Sequence, residues 1–486
     1  MDIGRSGVTA LQGGRQSAKI ITTALWIFAV LAAGGLSWLI PPIQSPDEDA
    51  HLKRAYLISQ GFFLLQRLPP DSAVVMDDKE AVAFENRASA HGTRTGGRID
   101  SELADFTAVH LELARDAGKR LSATEQDLIA QKKWQGVRHF QDLSGTGYYF
   151  PAIYAPHALG LAIGQWLNLT VQHSYAVAKG FTLLACFVLL GVAFHLMSPN
   201  PSVAAILLLP MSLFQMLSPT IDGLTTSLAV LAVSLFMVSI DRSRKHSLAA
   251  SYGLAISIFL LTTTRTHLLP LLALPFYLAW QRQSRRDLYL GCFITFAALG
   301  WVLFALQTTN DPRVVRDHTT TQLLMQYSAD PAAFFRIVWA SVTDNVNFTF
   351  YNRSFIGILG WLDTHLAGYF YPTLWSGLAL CALASVSIST LQKDWGTRLL
   401  LVGLCVASTG LVFLAMVVTW TPHPATMITG VQGRYFVVPA ILLGYAMSGS
   451  ASQQPPLRQW IAAPTISLFA LTSLTALTMA LWGRYH

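Results

Sequence analysis

Long apolar runs joined by short polar connections set the pattern of this chain. The first run covers about residues 20 to 40, enough to cross a bilayer as one helix, which takes about 20 apolar residues. Further runs lie near 151–168, 176–197, 203–219, 224–240, 248–264, 266–281, 288–306, 367–391, 399–419, 432–449 and 461–482. Only 12% of the residues are charged and 52% are hydrophobic, where an ordinary soluble domain has about 25% charged. The pattern predicts an all-α polytopic membrane protein.

Charge orients the runs. The basic loops Arg242/Arg244/Lys245, Arg282/Arg285/Arg286 and Lys393/Arg398 are expected on the cytoplasmic side. Two runs separate each from the next, so their parity agrees. Counting back from Arg242 leaves no crossing for 151–168. With Pro151, Pro156 and His157 in its first part, that run reads as a helix lying against the outer leaflet. Arg5, Arg15 and Lys19 precede the first run, and Trp38 and Pro41-Pro42 follow it in place of a cleavage site. It therefore reads as a retained span with a cytoplasmic start. The expectation is about eleven spans with the C-terminus outside.

This divides the chain into an N-terminus and first span (1–40), a long outer loop (41–174), spans two to seven (175–306), a second outer loop (307–366) and spans eight to eleven (367–486). The first loop holds 16 of the 26 acidic residues, so acid chemistry is concentrated on the outer side. Its polar middle includes a capping-box pattern at Ser122–Glu125, which predicts short helices in a small ordered cap. The net charge of +7 belongs to loops and gives no sign of a nucleic-acid partner; the lipid bilayer is the expected one. Cys186, Cys292, Cys381 and Cys405 all sit in apolar runs, which argues against a disulfide framework or a metal site of cysteines. Nothing in the pattern fixes a number of subunits.

Polar residues that hydrocarbon would reject collect at the outer ends of the runs. Asp47, Glu48, Asp49, His51 and Arg54 follow the first span. Asp222 opens another, Arg265 and His267 lie between two short runs, Asp363 closes the second outer loop, and Gln432-Gly433-Arg434-Tyr435 begins the tenth span. His157 and Lys179 are weaker members of the set. Carboxylates, arginine and histidine at a membrane surface suit a phosphate-bearing lipid: arginine holds the phosphate by charge-assisted hydrogen bonds, and a carboxylate deprotonates an incoming hydroxyl. Each residue also has a plainer reading. Ser45-Pro46-Asp47-Glu48 is what a helix start looks like. Asp222 and Asp363 could cap helices, Arg434 could reach to headgroups, and Trp361, Trp375 and Trp420 read as interface aromatics.

Five strings in order resemble a known pattern. They are Pro41-Pro-Ile-Gln-Ser-Pro-Asp-Glu-Asp-Ala-His51 with Arg54-Ala-Tyr56, Tyr149-Phe-Pro-Ala-Ile-Tyr154, Ser218-Pro-Thr-Ile-Asp222, Gly360-Trp-Leu-Asp-Thr364 and Gln432-Gly-Arg-Tyr-Phe436. With this hydropathy the chain resembles the GT-C clan of membrane glycosyltransferases and, within it, the bacterial domain-of-unknown-function 2142 family. The resemblance implies a GT-C-like fold with juxtamembrane helices in the first outer loop, a polyprenyl-phosphate sugar as donor, and a glycan, lipid or protein acceptor at the outer face of a bacterial inner membrane. Asp47-Glu48 is similar to the Asp-Glu pair of protein O-mannosyltransferases. Asp47 is the first choice of base and Glu48 the second. Arg434, helped by Arg265 and His267, would hold the donor phosphate, with His51, Arg54, Asp222, Asp363, His157, Lys179 and Tyr435 as further site candidates. The insert at about 66 to 145 departs from the clan pattern and could define the acceptor. A donor with a single phosphate needs no metal, although the acidic cluster offers oxygen ligands of the kind Mg²⁺ or Mn²⁺ prefers. The other functions weighed are a flippase or transporter for lipid-linked glycans, and a polymerase or ligase acting on diphosphate-linked glycans.

Overall fold

The computed structural model describes residues 27, 29–68, 94–116, 118–244, 247–309, 318–386, 392, 394–447 and 456–486. Arg5, Arg15, Lys19, Lys245, Lys393 and the 69–93 part of the polar insert lie outside the described residues.

The first span is described from α1 (Ala29–Trp38). After the Pro41-Pro42 pair comes α2 (Glu48–Ser59), most of whose residues are buried. The first loop then departs from an all-α reading. Strands β1 (Gln66–Leu68), β2 (Arg94–Asp100) and β3 (Arg138–Asp142) form an antiparallel sheet in the order β1-β2-β3, with Gly97 opposite Gln141. Gly96 and Gly97 make this sheet possible. A Cβ on Gly96 would lie 1.9 Å from the Gln141 carbonyl oxygen, and one on Gly97 2.5 Å from the Leu57 side chain. The strand therefore lies flat on α2. Between β2 and β3 run α3 (Ser101–Arg115), capped by the Asp100 carboxylate, and α4 (Ala123–Ala130), which has the expected Ser122–Glu125 capping box.

A 3₁₀ turn (Pro151–Tyr154) leads into α5 (Ala155–Trp166). At 1.5 Å per residue its 12 residues reach only about 18 Å, short of the roughly 30 Å hydrocarbon core. α6 (Val171–Leu196) follows at full span length. The run at 203–219 is not one helix. It breaks into α7 (Pro201–Leu207) and α8 (Pro210–Leu217), because Pro210 has no N–H to give and its ring excludes the preceding turn. Next come α9 (Ile221–Ile240) and α10 (Leu248–Thr264). The 266–281 run also divides, into a 3₁₀ stretch (Thr266–Leu272) containing Pro270 and then α11 (Ala273–Arg282).

α12 (Arg285–Thr308) returns to span length. The second loop folds as α13 (Thr320–Ala329), α14 (Pro331–Thr343), α15 (Asn345–Gly357) and a hairpin of β4 (Ile358–Leu359) with β5 (Thr364–His365). α16 (Phe370–Ser385), α17 (Trp395–Thr419), a 3₁₀ turn (Gly433–Phe436) with α18 (Val437–Met447), and α19 (Pro456–Tyr485) complete the described chain. Among the described residues, five of the eleven runs expected to span give helices long and apolar enough to cross: α6, α9, α12, α17 and α19. Four are described as shorter apolar helices, the first of them only from Ala29 on and the last only as far as Met447, and two are the broken runs. α9 is the hub. Its apolar window is 78% buried, against 22 to 39% for the other four. A charged residue on its first turn is therefore held at the centre of the bundle.

Candidate functional site

The loop from α1 into α2 is held from several sides. Ile43 (φ 64°) and Asp47 (φ 63°) both take left-handed backbone conformations. Aspartate tolerates this, whereas a β-branched residue does so only under constraint. The constraint comes largely from Glu48. Its carboxylate accepts the backbone N–H groups of Ile43 (3.0 Å) and Ser45 (2.9 Å) and the Tyr175 hydroxyl (2.7 Å). The Trp361 indole donates to the Ile43 carbonyl (2.9 Å), and the Lys179 ammonium donates to the carbonyls of Ser37 (2.7 Å) and Ile40 (3.1 Å). Complete burial pushes the Glu48 carboxyl above its usual range, while Lys179 and the three donors pull it back. Asp47, at the turn where α2 begins, keeps 44% of its side chain exposed.

Beside Asp47 the chain assembles alternating charges from four segments. Asp222 stands on the first turn of α9, Arg265 ends α10, and Arg434 sits in the 3₁₀ turn before α18. One carboxylate oxygen of Asp222 pairs with Arg265 Nη2; the other is 3.3 Å from Arg434 Nη1. Arg434 Nη2 in turn lies 3.4 Å from Asp47 Oδ2. Asp222 and Arg434 are both buried. Gly433 brings Arg434 to this depth. A Cβ there would lie 2.0 Å from the Phe355 backbone nitrogen, and the Gly433 N–H donates to Ser354 Oγ (2.8 Å). Aromatic faces flank both guanidiniums, Tyr149 at 5.4 Å from Arg265 and Tyr435 at 5.4 Å from Arg434.

His51 adjoins this chain, its ring 5.7 Å from those of Tyr149 and Tyr154 and its Nδ1 2.8 Å from the Tyr154 hydroxyl. His157 lies one ring further in, 6.0 Å from Tyr154. Burial is the main cause that pushes His51 down to about 4 and His157 to about 3. Both imidazoles are thus neutral in the fold, whereas in the unfolded chain they take up protons near pH 6.5. Their contribution to stability is complete above about pH 6.5 and is lost as the pH falls toward 4. At pH 5 each should cost about 2 kcal/mol relative to pH 7. Thermal unfolding of wild type and of His51→Asn at the two pH values tests this: the variant should lose markedly less stability on acidification, and equal losses would refute the assignment.

The structure thus joins Asp47, Asp222, Arg265 and Arg434 directly. His51 and Tyr435 adjoin them, and the His267 ring lies 6.4 Å from that of Tyr435. Other candidates have separate contacts. Glu48 and Lys179 brace the loop. Arg54 donates to the Phe63 carbonyl (2.6 Å), and Asp363 pairs with Arg484 (2.9 Å). Among the described residues, no three His, Cys, Asp or Glu side chains are grouped to hold a metal ion. Tyr149, Tyr154 and Tyr175 were not singled out from sequence, although the first two bound one of the matching strings. Trp361, expected as an interface aromatic, holds the loop instead. Glu48→Ala should therefore act through stability, costing about 3 kcal/mol by stranding two backbone donors and a hydroxyl. Activity per folded molecule should change far less, as separate unfolding and turnover measurements would report.

Fold and site together define a multi-pass membrane protein with a partly buried, charge-balanced arginine–carboxylate site at one end of its central helix. The chain belongs to the DUF2142 family of predicted membrane proteins, whose sequence profile matches residues 30–443. No curated protein and no solved structure matches it.

Proposed function

We propose that this protein is a GT-C-type glycosyltransferase of a bacterial inner membrane, with its site facing the periplasm. It moves a sugar from a polyprenyl-phosphate donor to a glycan, lipid or protein hydroxyl. The observation that carries the reading is the Arg265–Asp222–Arg434–Asp47 chain: two clustered guanidiniums beside one exposed carboxylate. The acceptor oxygen attacks the anomeric carbon from the face opposite the phosphate. The carbon–oxygen bond to phosphate breaks, and its electron pair leaves on the polyprenyl phosphate, which gains one negative charge. Arg434 and Arg265 stabilise that added charge. The acceptor proton passes to Asp47, and the anomeric centre inverts.

The test supplies purified protein in nanodiscs with a panel of polyprenyl-phosphate monosaccharides and an outer-envelope glycan extract. Transfer from at least one donor is expected, with the product of opposite anomeric configuration. Transfer only from diphosphate-linked glycans, or none from any donor, would overturn the reading.

A further inference from the structure

A cavity of about 320 Å³ lies where the end of α1, the α3–α4 cap and the end of α19 meet. Leu113, Ile129 and His110 are its buried lining, Pro41 and Pro42 form part of its wall, and Lys119 and Arg120 are at its more exposed rim. The His486 ring stacks on Trp38 (6.1 Å) and on Trp482 (5.1 Å), so α1 and α19 end side by side at this cavity. Both indoles are largely exposed, as are Leu31 on α1 and Leu471 and Met479 on α19. Exposed tryptophans at the ends of apolar helices mark the level where hydrocarbon gives way to headgroups. The cavity therefore sits at headgroup depth, and the lipid-facing flanks of two helices lead up to it.

The two basic residues line the cavity, and the Glu112 carboxylate stands beside them, paired with Lys119 from outside the lining. A bare phosphate would meet that carboxylate unfavourably, whereas a headgroup carrying phosphate and ammonium matches both. We propose that the cavity binds the headgroup of an aminophospholipid, with phosphate against Lys119 and Arg120, ammonium toward Glu112, and acyl chains along α1 and α19. The cavity wall at Pro41-Pro42 continues directly into the loop that presents Asp47. Gln44 ties the two parts together by donating to the carbonyls of Pro42 (3.0 Å) and His110 (2.9 Å). A bound lipid would thus brace the site loop.

The experiment reconstitutes the full chain in vesicles of phosphatidylethanolamine and phosphatidylcholine, extracts it in mild detergent, and counts retained lipid by native mass spectrometry. Wild type should retain phosphatidylethanolamine selectively. Lys119→Ala/Arg120→Ala should retain at least tenfold less, with an unchanged melting temperature in lipid-free detergent; Lys132→Ala, which pairs within the cap, serves as control. Leu121→Trp, which fills the cavity from its wall, should also expel the lipid and decides the matter if the double variant misfolds. Equal retention by wild type and the cavity variants would overturn the proposal. So would displacement of the lipid by inorganic phosphate or glycerophosphoethanolamine at equal concentration, since neither has acyl chains. Lipid retention is read without sugar transfer, so this result is independent of the catalytic reading.

Discussion

Asp47→Asn should lower sugar transfer at least 100-fold while the protein folds normally. General-base catalysis by a positioned side chain contributes about 10²- to 10⁴-fold, and an amide cannot take the acceptor proton. The substitution is otherwise mild. Asparagine, like aspartate, tolerates the left-handed conformation at this position, so the turn into α2 survives. Arg434 retains Asp222 as a carboxylate partner, so no guanidinium is left buried and unpaired. The loss should therefore fall on turnover at saturating donor, with donor affinity preserved or improved because a carboxylate no longer competes for Arg434. Rates measured with saturating donor, alongside donor binding to the same preparation, give the answer. Full activity in Asp47→Asn would place the base on another residue.

The choice between Asp47 and Glu48 shows what the sequence could and could not convey. Two adjacent carboxylates at a helix start read alike in one dimension. The fold separates them, because the left-handed backbone at Asp47 aims one side chain at Arg434 while Glu48 turns back into the loop it closes. The gathering of Asp47, Asp222, Arg265 and Arg434 was legible for a simple reason. Hydrocarbon rejects charge, so a charged residue near an apolar run must mark its end, and charge parity then puts these ends on one side. Which residue pairs with which was not legible, nor was the Tyr154–His51 contact. The sheet was missed because β2 reads Arg-Thr-Gly-Gly-Arg-Ile-Asp, with almost no apolar alternation to announce a strand. Pro210 and Pro270 stood in plain view. Hydropathy averages treat proline as one residue among many, whereas the backbone treats it as a stop.

Asp222 carries the largest expected effect on the fold itself. Its carboxylate bridges two guanidiniums at the buried first turn of the hub helix. Asp222→Ala would leave Arg265 and Arg434 as neighbouring like charges at depth, and removing one partner of a buried ion pair costs about 3 to 5 kcal/mol. Transfer should also be lost, because nothing would then hold the two guanidiniums in register for a phosphate. The two effects can be separated. Adding Arg265→Met to Asp222→Ala removes one stranded cation and should restore part of the lost stability, giving a positive coupling in a double-mutant cycle. It should restore no activity, since the phosphate site would still lack a guanidinium. Unfolding of the four proteins in one detergent, with transfer assayed on the folded fraction of each, distinguishes the outcomes. Additive stabilities would mean that Asp222 and Arg265 do not depend on each other, and recovery of transfer in the double variant would mean that Arg265 has no part in holding the donor.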